Sequence, residues 1–247
     1  MSLIVNASRS AIRITLTAIP LFALVTVLCT GCNKRSTRSE PAAVAQMPHD
    51  EHTSGAERGL PELQTYAHRL DNPARDEWQR PEEVVALLEC HVGMTAVDLG
   101  AGTGYFLPFL SNAVGEDGRV LALDLEPGTI EWLSGRIETE GLSNVRPIVV
   151  PPDDPELGAG SVDRVLVANT WHHISGRVEY AKKLRASMRP GGLVLVVDFT
   201  LDSPEGPPPD HRLAMDRVVG ELEAAGFEAE VLNESLPYQY VVAGRPR

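Results

Sequence analysis

From residue 75 to residue 243, short apolar runs alternate with segments whose apolar residues recur every three or four positions, the periods of strand and helix respectively. The run Thr95 to Leu99 ends on glycines at every second position, Gly100, Gly102 and Gly104, after which Phe106, Phe109, Leu110 and Ala113 share one helical face. "RVLALDL" is a second strand, and in "PGTIEWLSGRIETEG" the residues Ile130, Leu133 and Ile137 hold helical spacing until Gly141 stops it. "VRPIVV" and "VDRVLVAN" follow as strands, then a helix through Val178, Ala181, Leu184 and Met188. The turn Arg189-Pro190-Gly191-Gly192 leads into the strand "GLVLVVDF". Ahead of this series, "RPEEVVALLE" places Pro81 and two acids where a helix N-terminus favours them.

Alternation of this kind predicts an α/β fold, with a mostly parallel seven-stranded sheet and helices on both faces. Its end differs. After the proline-rich "SPEGPPPDHRL" comes a helix with Met215, Val218, Val219 and Leu222, stopping near Gly226. "FEAEVLN" and "YQYVVAG" then close the chain with no helix between them, which predicts a C-terminal antiparallel hairpin on the sheet edge.

The N-terminal region has another character. From Ile14 to Asn33 there is no charge, and "LTAIPLFALVTVL" reads as the apolar centre of a signal peptide or membrane anchor. Its end, "LCTGC", resembles a bacterial lipoprotein signal, which implies a lipid on Cys32 after Gly31; Cys29 stands where that pattern usually has an apolar residue. The alternative is that residues 14–33 remain as a single span, and a Cys29-x-x-Cys32 redox motif lacks the strand-to-helix setting such chemistry uses. Residues 1–32 are thus set apart from the fold. Residues 33–60, rich in Ser, Pro, Ala and Glu, read as a flexible linker, with His49 and His52 solvated rather than metal-binding. Residues 61–247 form the domain.

The 247 residues carry 22 Lys+Arg and 34 Asp+Glu, a net charge of −12. Five of the basic residues lie before residue 40, so the remainder stands at −17. Nucleic acid is an improbable partner for such a surface, because binding it requires a basic face that displaces counterions from phosphates. With Cys29 cleaved away and Cys32 lipidated, Cys90 would have no partner for a disulfide.

The glycines sit where open α/β sheets bind ligands, at the carboxyl end of a strand, and the absence of a Cβ lets a ligand approach the main chain. The G-x-G-x-G spacing, with Asp98 before it, departs from the G-x-G-x-x-G of dinucleotide sites. "VDLGAGTGYF" resembles the nucleotide-binding motif of Rossmann-like, class I S-adenosylmethionine-dependent methyltransferases, and the resemblance extends over roughly residues 75–243. It implies S-adenosylmethionine as cofactor. By that resemblance Asp98 helps hold the methionine part, the turn through Gly100, Gly102 and Gly104 runs beside the sugar and sulfonium, and Asp124 accepts from the ribose hydroxyls. Asp153 or Asp154 in "VPPDDPEL" contacts the adenine amino group, Asp153 being favoured by the following leucine, and Asn169 stands at the mouth of the site. Carboxylates suit a ligand that carries a sulfonium, an ammonium and several donor hydrogens.

In "NTWHHI", His172 and His173 follow Asn169 at the place where related small-molecule methyltransferases put substrate-facing residues, and a histidine titrates near neutrality. One of them is a candidate catalytic base; the structural alternative is a hydrogen bond to the next helix. Tyr66, His68 and Trp78 precede the core where the family often lays a lid over the substrate, although such aromatics also serve simply to pack a helix. The expected activity is methyl transfer to a small or lipid-like molecule by a membrane-attached protein. A lipoprotein signal would carry the domain away from the cytoplasm where the methyl donor is made. That leaves as the alternative a membrane-tethered binding protein which kept the fold without turnover.

Overall fold

The computed structural model describes Ala67, residues 71–234 and residues 236–247. The apolar N-terminal stretch, the linker, Cys29, Cys32, His49, His52, Tyr66 and His68 lie outside the described residues. Among the described residues, no helix is long and apolar enough to cross a membrane.

Each predicted apolar run becomes a strand: β1 (Thr95–Leu99), β2 (Arg119–Asp124), β3 (Val145–Val149), β4 (Val162–Ala168), β5 (Met188–Phe199), β6 (Phe227–Val231) and β7 (Gln239–Pro246). They make one sheet in the order β3-β2-β1-β4-β5-β7-β6. β1 to β5 pair in parallel, and β7 runs antiparallel between β5 and β6. The helices are α1 (Asp76–Gln79), α2 (Pro81–Leu87), α3 (Leu107–Val114), α4 (Pro127–Glu140), α5 (Arg177–Ser187) and α6 (Met215–Ala224).

Side chains along a strand point alternately to the two sheet faces, and the core divides accordingly. Ala96, Val120, Ala122 and Leu166 pack with Val84 of α2, Leu107 and Leu110 of α3 and Leu133 of α4. Val97, Val165, Val196 and Val242 pack with Tyr180 and Leu184 of α5 and with Val218 and Leu222 of α6. Parallel strands covered on both faces are mostly apolar, and β1 is buried at all five positions, Thr95 and Asp98 included.

One boundary differs from the sequence reading. Met188 does not end α5: it takes extended backbone (φ −82°, ψ 144°) and pairs with Val162 as the first residue of β5. The turn Arg189–Gly192 is then a bulge inside the strand, since the next paired residue, Leu193, faces Arg164. The periodicity missed this because Met188 is apolar and buried, which suits the end of a helix as well as the start of a strand.

Candidate functional site

The carboxyl ends of β1, β2 and β4 bring together Asp98, the three glycines, Asp124 and Asn169. Asp98 is in register with Ala122 of β2 and Leu166 of β4 and is 2 % exposed. By alternation with Val97 and Leu99 it projects to the α2–α3 face. Among the described residues its buried Oδ2 has no hydrogen-bond partner. Burial pushes its pKa up from 3.8 to about 7, against an opposing pull from Arg75, with the Asp124 charge adding to the rise.

The three glycines have distinct reasons. All take positive φ, +73°, +54° and +88° in order. A Cβ on Gly100 would collide with the Thr170 side chain, and one on Gly104 would lie 2.8 Å from Leu133 Cδ2 and 2.9 Å from Leu107 Cδ1. These two serve close packing. At Gly102 the nearest atom to a Cβ among the described residues is a backbone oxygen 3.9 Å away, so among them this position faces open space. Asp124, half-buried, braces the same turn: its Oδ2 accepts from the Gly102 amide at 3.0 Å and its Oδ1 from the Glu126 amide at 3.1 Å.

Beyond β3 the two candidate acids separate. Asp154 is committed: its Oδ1 accepts from the Glu156 amide at 2.8 Å and its Oδ2 pairs with Lys183 of α5 at 3.0 Å, the amide bond first and the lysine second holding its pKa below the usual range. The neighbouring Asp153 is exposed, and its carbonyl rather than its carboxylate takes the Lys183 ammonium, at 2.7 Å.

Asn169, at left-handed φ (55°), closes β4 and enters a ring of amides. Its Nδ2 donates to Gln79 Oε1 at 3.0 Å, Gln79 Nε2 donates to Gln239 Oε1 at 2.6 Å, and Gln239 Nε2 donates back to Asn169 Oδ1. Gln79 is fully buried and Gln239 nearly so. Through this ring the segment before α2 is tied across the carboxyl edge of the sheet. Its other end is fastened by Asp71, which takes Arg136 of α4 at 2.8 Å and the Thr103 hydroxyl at 3.2 Å. Trp78, between the two fastenings, packs against Phe199 (centroids 5.8 Å apart) and Tyr238 (6.2 Å).

On the opposite face Trp171 is fully buried and donates from Nε1 to Glu221 of α6 at 2.9 Å, which pins the "NTWHHI" segment. His172 then reaches the end of β5, where its Nδ1 lies 2.9 Å from both carboxylate oxygens of Asp198. Their side chains are 3 % and 2 % exposed. His173 is exposed and lies against His172 with ring centroids 4.0 Å apart and the rings tilted by 47°. Tyr240, opposite Asp198 in β7, keeps a buried hydroxyl without a partner among the described residues, and its pKa is driven upward by burial and then by the Asp198 charge.

The sequence reading passed over Asp198, Gln79, Gln239 and Arg75 as site residues. Asp198 had a usable signal, an acid ending an apolar strand as Asp98 and Asp124 do. The glutamines had none, for their partners lie 160 and 90 residues away.

Residues 96–192 match the family described as a methyltransferase domain. A solved S-adenosylmethionine-dependent methyltransferase from Aquifex aeolicus is 29% identical, with a TM-score of 0.69, covering 73% of this chain and 96% of that one. A protein of transposon Tn4556 from Streptomyces fradiae is 29% identical over 60% of this chain and 42% of its own length. A ubiquinone/menaquinone biosynthesis C-methyltransferase from Idiomarina loihiensis is 22% identical over 44% of this chain and 43% of its own length. The chain thus spans less than half the length of these curated relatives. The matches thus make this chain similar to methyltransferases, the solved structure among them S-adenosylmethionine-dependent.

Proposed function

We propose that this chain transfers a methyl group from S-adenosylmethionine to a small or lipid-like acceptor. The carrying observation is the buried Asp98 carboxylate, with one oxygen unpartnered, beside the open face of Gly102. A carboxylate so placed is costly to keep ionised unless a cation or donor joins it, and the ammonium of the cofactor's methionine end fits that need. Asp124 would receive the ribose hydroxyls from its place at the end of β2. Asp153, whose carboxylate is the uncommitted one of the adjacent pair, would receive the adenine amino group. Bound there, the cofactor supplies an electrophilic methyl group on a sulfonium.

Methyl transfer is an in-line displacement, so this chain's contribution is first to position the acceptor and exclude water. The Trp78–Phe199–Tyr238 cluster at the same sheet edge suits an apolar acceptor, as does the likeness to relatives named for quinone biosynthesis. Where the acceptor must lose a proton, His172 or His173 takes it. With the Nδ1 proton of His172 held by Asp198, its Nε2 is left as the acceptor.

The test is thermal melting of the full-length protein with S-adenosylhomocysteine, which should raise the midpoint by mass action. No shift at saturation, with NADH producing one instead, would sink this reading. We also propose membrane attachment through a lipid on Cys32, an uncleaved span of residues 14–33 being the alternative. Fatty-acid labelling lost in Cys32→Ala supports the lipid, whereas an unlabelled, full-length, membrane-bound protein requires the span.

A further inference from the structure

The turn that carries His172 is gripped at both ends, and one carboxylate from a distant helix serves both grips. We propose that Glu221 of α6 is a positioning residue, which holds the His172 imidazole against Asp198 by way of Trp171 and Arg177; this rests on the reading of His172 as the base.

Trp171–His173 forms a single 3-10 turn, closed by the Ile174 amide donating to the Trp171 carbonyl at 3.3 Å. At its start the fully buried Trp171 indole donates to Glu221 Oε2 at 2.9 Å. Just past its end the Ile174 carbonyl accepts from Arg177 Nη1 at 3.1 Å, while Arg177 Nε donates to the two Glu221 oxygens at 2.9 and 2.8 Å. The circuit is therefore closed, from Trp171 to Glu221, to Arg177, to Ile174 and back to Trp171. His172 lies within it, and its Nδ1 meets both Asp198 oxygens at 2.9 Å. Glu221 stands 50 residues beyond Trp171, so nothing local to the turn supplies this grip.

The electrostatics agree. Burial alone would push the Glu221 pKa up, but the hydrogen bonds from Arg177 and then Trp171 hold it below the usual carboxylate range, so it remains a charged acceptor. Charge-assisted bonds of this kind are shorter and stronger than neutral ones, and these are largely shielded from solvent. A histidine serves as a base when one nitrogen is aimed at the proton and the hydrogen bond of the other fixes the tautomer. Gripping the chain on both sides of His172 confines its ring to the Asp198 contact before any acceptor arrives, so little freedom remains to be lost in the reaction. Arg217, one turn earlier in α6, donates to the same carboxylate at 3.1 Å from outside the circuit, which makes it a natural control.

The tautomer of His172 separates this role from a merely structural one. Nitrogen magnetic resonance on the full-length protein with labelled histidine reads it at neutral pH, the His172 signals being those that vanish in His172→Gln. Wild type should show a protonated Nδ1 and a bare Nε2. Glu221→Ala should draw the two nitrogen shifts together toward a common average, as the ring leaves Asp198 and exchanges tautomers, whereas Arg217→Ala should leave them apart. Glu221→Gln keeps an acceptor for the indole but loses the charge that holds Arg177; it should show a smaller movement of the same sign, and it decides the matter should Glu221→Ala fail to fold. Shifts unchanged in the folded Glu221 variants, or moved as far by Arg217→Ala, overturn the positioning role alone. A wild-type His172 whose Nε2 carries the proton overturns its reading as the base and this proposal with it.

Discussion

Asp98 and Asp198 are both acids at the carboxyl edge of one sheet, 2 % and 1 % exposed, on β1 and β5 and on opposite faces. Their surroundings differ in one respect. Asp198 has its complement built in, with His172 Nδ1 2.9 Å from both oxygens and the Phe199 amide donating at 2.9 Å. Asp98 keeps one oxygen without a partner, and its pKa stands near 7. Burying a carboxylate costs free energy that only partners can offset. A protein that supplies those partners from its own chain gains a fixed imidazole. One that withholds them leaves a demand for a ligand, and the cost is carried by the empty fold.

The comparison breaks most readily on stability. His172→Ala would strip Asp198 to its backbone donor, and loss of a partner from such a buried pair costs about 3–5 kcal/mol; chemical denaturation measures it. Asp98→Asn should leave the stability of the ligand-free protein unchanged or raise it, while lowering affinity for S-adenosylhomocysteine about ten- to a hundredfold. A loss of stability as large as that of His172→Ala would put both acids in the same structural class. The pH dependence carries the same contrast. Because folding raises the Asp98 pKa from 3.8 to about 7, the native state holds more protons across that window. Its contribution to stability is therefore full below about pH 4, falls as pH rises, and is lost above about 7. The wild-type melting temperature should drop relative to Asp98→Asn from pH 4 to 7, and a constant difference would contradict the assignment.

Smaller effects sharpen the picture at the turn. Gly100→Ala should cost about 1–3 kcal/mol of stability beyond the strain of its left-handed backbone, because it forces Thr170 aside. Gly102→Ala meets no obstacle and should cost about 1–2 kcal/mol for its left-handed φ alone, yet weaken ligand binding more than Gly100→Ala does relative to its effect on folding. The smallest change is expected of the acids after β3. Asp153→Asn should weaken binding of the adenosine moiety several-fold with the melting temperature intact, whereas Asp154→Asn should touch only the exposed Lys183 pair. The reverse result would exchange their roles.

The sequence by itself determined the order of strands and helices, the antiparallel ending, and the placing of Asp98, Asp124 and the glycines at strand ends. These are local facts: apolar period, capping residues and turn glycines act within a few positions, so they can be read along the chain. Thr95 to Leu99 was legible because a short, mostly apolar run ending at a glycine turn fits a strand, and all five positions are buried. Met188 shows the limit, since its apolarity fits helix or strand, and pairing with Val162 chose the strand. Tertiary structure alone decided that Gly100 and Gly104 serve packing while Gly102 faces open space, that Asp154 is spent on Lys183, and that His172 answers Asp198. It also joined Gln79, Asn169 and Gln239 and set Arg75 above Tyr105. Each of these is a contact between segments distant in the chain, formed only when the sheet is assembled, and no local pattern encodes which polar side chain will find a partner there and which will be left without one.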